Sequence, residues 1–530
     1  MIKTDLFLPY RYNTDALKDA ITARLPLDRS EISDIRILRR ELVIKDGAPP
    51  TYKATVAFSS SVEREKGLLK IRSKVSLYES EELSLGKASM ERRPVVVGFG
   101  PAGLFAALSL AEAGVRPIVL ERGLSVDERA ARINLFSTLG LLDTECNVQF
   151  GEGGAGTYSD GKLKCGSRDR YKMKVLGEFV LAGADESILY STSAHLGTDK
   201  LPGIVKSIRE KIIALGGEVI FGAKMVDLGL KDNRLCSVIY EKDGLRNEIE
   251  TDDAILATGH SARDTLLMMR EKGIQMSAKG FGIGVRIEHP REYVNKVVYR
   301  DSYGAVDETA SYHLVTHLPN GRSVYSFCMC PGGTVVAATS ESEGIVTNGM
   351  SEYRRDADNS NCALLVSVTP DDFASSDPLA GIELQRRIER CAYALSGSYK
   401  APAWRLEDLL LGGVTNGFGD VLPSYPLGTE MISPSEYLPD YAVDSLKASI
   451  VDFDEWMPGF NFGDAVLTGP ETRTTSPVRI ERDSARECLG FVGIYPAGEG
   501  AGYAGGIVSS AVDGIYIAES IISKHKVKDN

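Results

Sequence analysis

A chain of 530 residues exceeds the roughly 250 to 300 residues at which one hydrophobic core stops growing, so two or three domains are expected. Apolar residues make up 43% and charged residues 25%, the balance of an ordinary folded protein, which excludes disordered, fibrous and lipid-embedded classes. The formal charge of −12, from 61 Lys plus Arg against 73 Asp plus Glu, repels a phosphate backbone, so nucleic acid is not an expected partner.

The start, MIKTDLFLPYRYNTD, lacks the charged-then-apolar pattern of a signal peptide. The 8 cysteines form no CxxC and no even framework, which fits reduced thiols in the cytoplasm. Residues 1–90 read as a small α+β unit, with a helix over DALKDAITARL and strands over ISDIRILRRELVIK and TYKATVAFS. The charged stretch ESEELSLGKASMERR then reads as a linker or exposed helix. From Pro94 the chain becomes an apolar strand, a glycine turn, a helix of small residues and a second strand ending at Glu121, a βαβ unit. Glu112, Arg116 and the glycines in this run argue against a membrane span. A helix is predicted over 201–215, followed by short strands GEVIFG, KMVDLGL, RLCSVIYE and DDAILATG. Residues 265–480 are mixed and strand-rich, and 491–525 return to strand, glycine loop and helix.

Gly98-Phe99-Gly100-Pro101-Ala102-Gly103 is a GxGxxG set between strand and helix. Its first glycine makes the turn, the second lets a pyrophosphate approach and the third lets helix and strand pack, while the helix N-terminus faces the phosphates. Glu121, with Arg122 beside it, stands about twenty residues on, where a carboxylate accepts hydrogen bonds from the adenosine ribose. A dinucleotide is expected, and the motif leaves FAD and NAD both open.

The segment FVGIYPAGEGAGYAGGIVSSAVDGIYIAESI resembles the C-terminal flavin-binding segment of the glutathione-reductase-like FAD superfamily. The resemblance implies that Gly498 and Glu499 meet the ribityl chain or pyrophosphate, and that Gly502, Gly505 and Gly506 pass close to the isoalloxazine. It also implies that a helix from Ile507 points its free N–H groups at the flavin pyrimidine edge. Thr258 and Gly259 match the superfamily's strand ending in Ala-Thr-Gly, where the glycine is expected because the chain passes the first nucleotide loop closely. Met225 falls where an adenine contact is usual. The loop FGEGGAGTYSDGKL at 150–163 offers Gly153, Gly154, Ala155, Gly156, Thr157, Asp160, Gly161 and Lys162 to a flat ring or phosphate. It lacks the CxxxxC of the disulfide reductases, and Cys146 and Cys165 flank it 19 residues apart, so thiol relay is not expected.

Taken together, VVVGFGPAGLFAAL, FGEGGAGTYSDGKL, AILATGHSARDT, CMCPGG, LTGPETRTTSPVRI and YPAGEGAGYAGGI resemble a bacterial family of uncharacterised FAD-dependent dehydrogenases. The implied fold is α/β: a split Rossmann-like, glutathione-reductase-like FAD domain over 91–265 and 481–530, an inserted mixed α/β substrate or cap domain over 266–480, and the small domain 1–90. The resemblance supplies no substrate; the activity expected from the flavin is an oxidoreductase passing hydride between an unidentified organic substrate and flavin N5, and a flavin reductase fed transiently by NAD(P)H is a close variant. A non-catalytic dinucleotide-fold binding module and an FAD-dependent RNA-modifying enzyme are the alternatives.

The glycine clusters at 280–284 and 412–419 lack a strand-turn-helix context, so no second nucleotide domain is expected. His313 and His317 share a strand face without a third ligand, and no metal is expected. Cys328 and Cys330 are read as facing one side of a strand, either as buried thiols or as part of the substrate cavity. His260 either donates near the cofactor or caps a turn, and Arg473 and Arg479 either hold an anionic substrate or pair with acids. No acid or base is assigned to catalysis.

Overall fold

Residues 1–71, 73–79, 83–163 and 169–526 are described by a computed structural model. The first segment is a strand, Ile2–Pro9, whose alternate residues Ile2, Thr4, Leu6 and Leu8 are buried. That period-two face packs on Leu17 and Ile21 of the helix Thr14–Arg24, which Asn13 caps by accepting from Ala16 N at 2.9 Å. The strand lies in a four-stranded antiparallel sheet ordered Ser33–Val43, Thr51–Ser59, Ile2–Pro9, Ser76–Leu77. Of the expected linker, residues 80–82 lie outside the described part. The remainder holds no helix and is pinned through Ala88 N to Ala113 O and Ser89 N to His525 O.

The apolar run Val95–Val97 is central in a five-stranded parallel sheet, ordered Ile494–Pro496, Ala254–Leu256, Val95–Val97, Ile118–Glu121, Glu218–Phe221. Both faces are covered, which is why these strands read as continuous apolar runs rather than as alternations. Val96, Val119 and Ile255 pack on the helices Pro101–Glu112, Leu201–Ala214 and Ile507–Lys524. Val95, Val97, Leu120 and Leu256 pack toward the antiparallel meander Lys224–Lys231, Arg234–Lys242, Leu245–Glu250. Small residues bring the helices together: a Cβ on Gly514 would lie 2.1 Å from Ala102 O.

Beside a two-stranded sheet of Thr334–Ala337 and Thr347–Met350 stands one of seven strands, ordered Val315–His317, Ser323–Cys330, Asn359–Val368, Phe281–Pro290, Val466–Glu471, Ala401–Arg405, Thr429–Met431. All its pairings are antiparallel except the last. The helices Ala380–Ser396 and Asp440–Trp456 bury Leu384, Ile388, Leu446 and Phe453 with Ile283, Val285 and Leu364 of this sheet. Outgoing and returning connections pair with each other as Met276–Ala278 and Val478–Ile480. None of the described helices is long and apolar enough to cross a membrane.

Candidate functional site

The three glycines of the first motif are required for different reasons. Gly98 has φ +94°, and a Cβ there would sit 2.4 Å from Ala257 O; one on Gly103 would sit 2.0 Å from Gly98 O. At Gly100 the nearest atom would be Gly154 Cα at 3.7 Å, an ordinary contact, so the protein itself does not demand this glycine. The close passage expected at Gly259 is thus made by Gly98 against Ala257. Nothing lies within 4 Å of a Cβ on Gly259, whose requirement is its φ of +73°.

A cavity of about 400 Å³ opens between the parallel sheet and the seven-stranded sheet. Every predicted cofactor position lines it except Gly103, Gly153, Thr157 and Gly498. Those four are turned into the protein. Gly103 and Gly498 are closed off by Gly98 O and by Ala102 Cβ, a Cβ on Gly153 would strike Thr157 Oγ1, and Thr157 Oγ1 itself donates to Glu152 O at 3.2 Å. Of the further flavin-segment glycines, Gly502 is packed against Val478 O.

Glu121, expected to meet the ribose, lines the cavity and is also engaged within the protein. Its buried carboxylate accepts from Phe99 N at 2.8 Å, Gly123 N at 2.9 Å and Gly151 N at 3.0 Å, so it bolts three loops together. Asp160 is likewise engaged, held by Arg355 at two points. Arg122 donates to Asp264 at 2.6 Å. The partly buried Glu499 carboxyl is pushed up to about 7 by burial, with Lys279 pulling the other way. His260 Nδ1 lies 3.9 Å from Glu499 Oε1 and has no hydrogen-bond partner among the described residues. Burial, then the charges of Arg473 and Arg263, push this imidazole down to about 3, so it is neutral near pH 7.

The opposite wall comes from the seven-stranded sheet, the strand Thr347–Met350 that pairs with Thr334–Ala337, and the segment after Glu471, and sequence reasoning missed most of it. Phe327 and Asn348 line the cavity without any motif that marks them, and Glu471 and Thr474 line it from within LTGPETRTTSPVRI, where sequence reasoning assigns them no role. Behind them, the fully buried Arg286 donates to Glu471 (Nε to Oε2 2.5 Å, Nη2 to Oε1 3.0 Å), to Asn348 Oδ1 at 2.8 Å and to Cys328 O at 2.9 Å. Arg473 reaches the cavity, but its guanidinium is spent on Glu389, at 3.1 and 2.9 Å. Against its burial, Glu389 is held well below the usual carboxylate range by Arg263 and Arg473. Arg479 is exposed and lies outside the cavity.

The shared face expected for Cys328 and Cys330 is broken. The register shifts between Phe327 and Cys330, and Cys328 adopts φ +44°, so Cys328 lines the cavity while Cys330 is buried beside Arg286. Burial raises both thiols. Cys165 lies outside the described residues. His317 Nδ1 meets Ser323 Oγ at 2.8 Å, while His313 precedes the strand.

Solved structures align over most of the chain at low identity. The flavoprotein/dehydrogenase of Cytophaga hutchinsonii is 12% identical with a TM-score of 0.37, covering 82% of this chain and 80% of that one. The glycerol-3-phosphate dehydrogenase of Bacillus halodurans, complexed with FAD, is 10% identical with a TM-score of 0.36, covering 84% and 66%. Residues 280–474 match the family described as "FAD-dependent protein, C-terminal domain-like". An uncharacterised protein of Clostridium beijerinckii is 45% identical over 520 residues, covering 96% of each chain. The chain belongs to this family of FAD-dependent proteins.

Three features of the cavity suit the cofactor of an FAD-dependent protein. The helices Pro101–Glu112 and Ile507–Lys524 both begin at its edge, with no side-chain cap and no acidic residue in the first turn, leaving N–H groups for an anion or an electron-rich ring. A Cβ on Gly100 or Gly506 would have no contact closer than 3.7 Å, and one on Gly505 none within 4 Å, so the backbone there is bare toward the cavity. The orphaned His260 Nδ1 is a buried acceptor or donor waiting for a hydroxyl.

Proposed function

We propose that this FAD-dependent protein is an oxidoreductase acting on a small organic substrate in the cleft between its two large sheets. In this reading a split, glutathione-reductase-like FAD domain comprises residues 91–265 and 481–530, the segment 266–480 is the inserted substrate or cap domain, and 1–90 is a separate small domain. The observation that carries it is one cavity bounded on one side by two uncapped helix N-termini and the bare Gly100 backbone, and on the other by the seven-stranded sheet. Bound there, FAD supplies hydride transfer at flavin N5, which no side chain can perform.

The chain's own groups bind, orient and exclude water. The Pro101 helix end and the Gly98–Ala102 loop take the pyrophosphate, Met225 and Arg122 flank the adenosine end, and Gly505, Gly506 and Ile507 lie along the flavin edge, where the helix dipole favours negative charge. Neutral His260 and Glu499, whose carboxyl burial pushes up, would hold hydroxyls of the connecting chain. Phe327, Cys328, Asn348 and Thr474 close the opposite side and keep water from the reacting face.

The test is direct. Purified protein should be yellow and release FAD on denaturation, and anaerobic NADH or NADPH should bleach the bound flavin. Colourless protein that takes up no FAD would instead support the non-catalytic binding module.

A further inference from the structure

Charged groups on the cavity wall differ in what neutralises them. Glu121 has its three backbone amides, Arg122 has Asp264, and Asp160 has Arg355. Across the cleft Glu471 has Arg286, and Arg473 has Glu389. Two groups lack such a partner: Glu499, which meets only His260 Nδ1 at 3.9 Å, and Lys162. Its ammonium donates to the carbonyl of Met329, and among the described residues no carboxylate pairs with it. The adjoining residues 164–168, Lys-Cys-Gly-Ser-Arg, add no acid to the sequence there. Two of its three N–H bonds are therefore left for the cavity.

Asn348 supplies a second donor. Its Oδ1 accepts from Arg286 Nη2 at 2.8 Å and from Gly349 N at 2.8 Å, so the amide N–H₂ is the end left to face the cleft. Arg286 is wholly buried and also grips Cys328 O, next in the chain to the Met329 carbonyl that steadies Lys162. Lys162, on the loop 150–163, and Asn348, on the strand Thr347–Met350 that pairs with Thr334–Ala337, are thus both tied to the Cys328–Met329 backbone, and both line the cavity with Phe327. An uncompensated ammonium, a locked amide donor and an apolar ring recognise a pair of anionic oxygens on a small carbon skeleton.

We infer that the substrate is a small carboxylate, its carboxylate held by Lys162 and Asn348, with Arg286 as the positioning residue behind Asn348. This rests on the flavin reading above, and its failure is separable from a failure of that reading because FAD content is measured first. FAD-loaded protein is titrated with acetate, pyruvate and benzoate, each against its own amide, and with inorganic phosphate, following the flavin absorbance. At least one carboxylate should bind at least tenfold more tightly than its amide. Lys162→Met should keep its FAD and abolish that preference, a loss of about tenfold or more. Lys162→Arg should retain part of it, and Asn348→Ala should weaken the carboxylate while leaving the amide unchanged. No preference for any carboxylate, tighter binding of phosphate, or loss of FAD from Lys162→Met would each overturn the inference, the last by giving Lys162 to the cofactor.

Discussion

Arg355 clasps Asp160 at two points, Nε to Oδ1 at 2.9 Å and Nη2 to Oδ2 at 2.5 Å, although 195 residues separate them in sequence. The pair is buried and joins the glycine-rich loop 150–163 to the segment entering strand Asn359–Val368. Around it, Tyr353 N donates to Asp199 Oδ1 at 2.7 Å and Thr198 N to Ser351 O at 3.0 Å, which makes this a seam between the two large parts of the molecule.

Breaking one side of this pair leaves a buried charge uncompensated, which costs about 3–5 kcal/mol. Asp160→Asn should therefore lower the urea midpoint clearly and open the seam to proteolysis. The double variant Asp160→Asn with Arg355→Met should be less destabilised than the sum of the singles, as a double-mutant cycle will read.

Gly100→Val should fold normally but lose its flavin. The nearest protein atom to a Cβ there is 3.7 Å away, so the branched side chain fits the fold and intrudes on the cleft. Melting of the flavin-free protein should match the parent, while flavin released on denaturation falls to background. Full flavin content in this variant would remove the basis of the cofactor assignment.

Glu121→Ala should damage the apoprotein itself. Three buried N–H groups lose a charged acceptor, at about 1–3 kcal/mol for each group left unsatisfied. The fall in melting temperature should be present without added FAD, and Glu121→Gln, which keeps one acceptor oxygen, should lie between. A purely ligand-binding carboxylate would leave the flavin-free melting curve untouched.

The carboxyl of Glu499 sets a pH dependence of opposite sign to that of most acids. It is raised from 4.5 to about 7, so between those values the folded protein holds a proton that the unfolded chain has released. Its contribution to stability is fully present below pH 4.5 and is lost as the pH rises through 7. Glu499→Gln should flatten that part of the curve, gaining on the parent in thermal scans from pH 5 to pH 8.

How far the sequence could be read depended on whether a requirement was local. The glycines at 98, 100 and 103 and the helix from Ile507 were legible because the strand, glycine turn and helix that hold them follow one another within a few residues. The strand Leu245–Glu250 was not read, as its polar alternation LRNEIE carries little apolar signal. Long-range partners left no trace. Nothing near Asp160 announces Arg355, and nothing near Glu121 shows that its oxygens are occupied by Gly151 N as well as by its neighbours. The bulge at Cys328 defeated a parity argument, because one extra residue in a strand reverses which side chains share a face. Arg286 is the clearest loss: a lone arginine in GIGVRIEHP gives no hint that it organises a wall of the cleft.

The strand Ile494–Pro496 completes a sheet that begins with Val95–Val97, and 397 residues are translated between Val97 and Ile494. At about 5 to 20 residues per second, the ribosome holds the half-built sheet for about 20 to 80 s. Throughout that interval the helix Pro101–Glu112 lacks the Ile507–Lys524 helix it packs against, while the seven-stranded sheet, complete once Glu471 has emerged, can close first. The parallel sheet, with four of its five strands made by Leu256, is therefore the last of the large sheets to be completed.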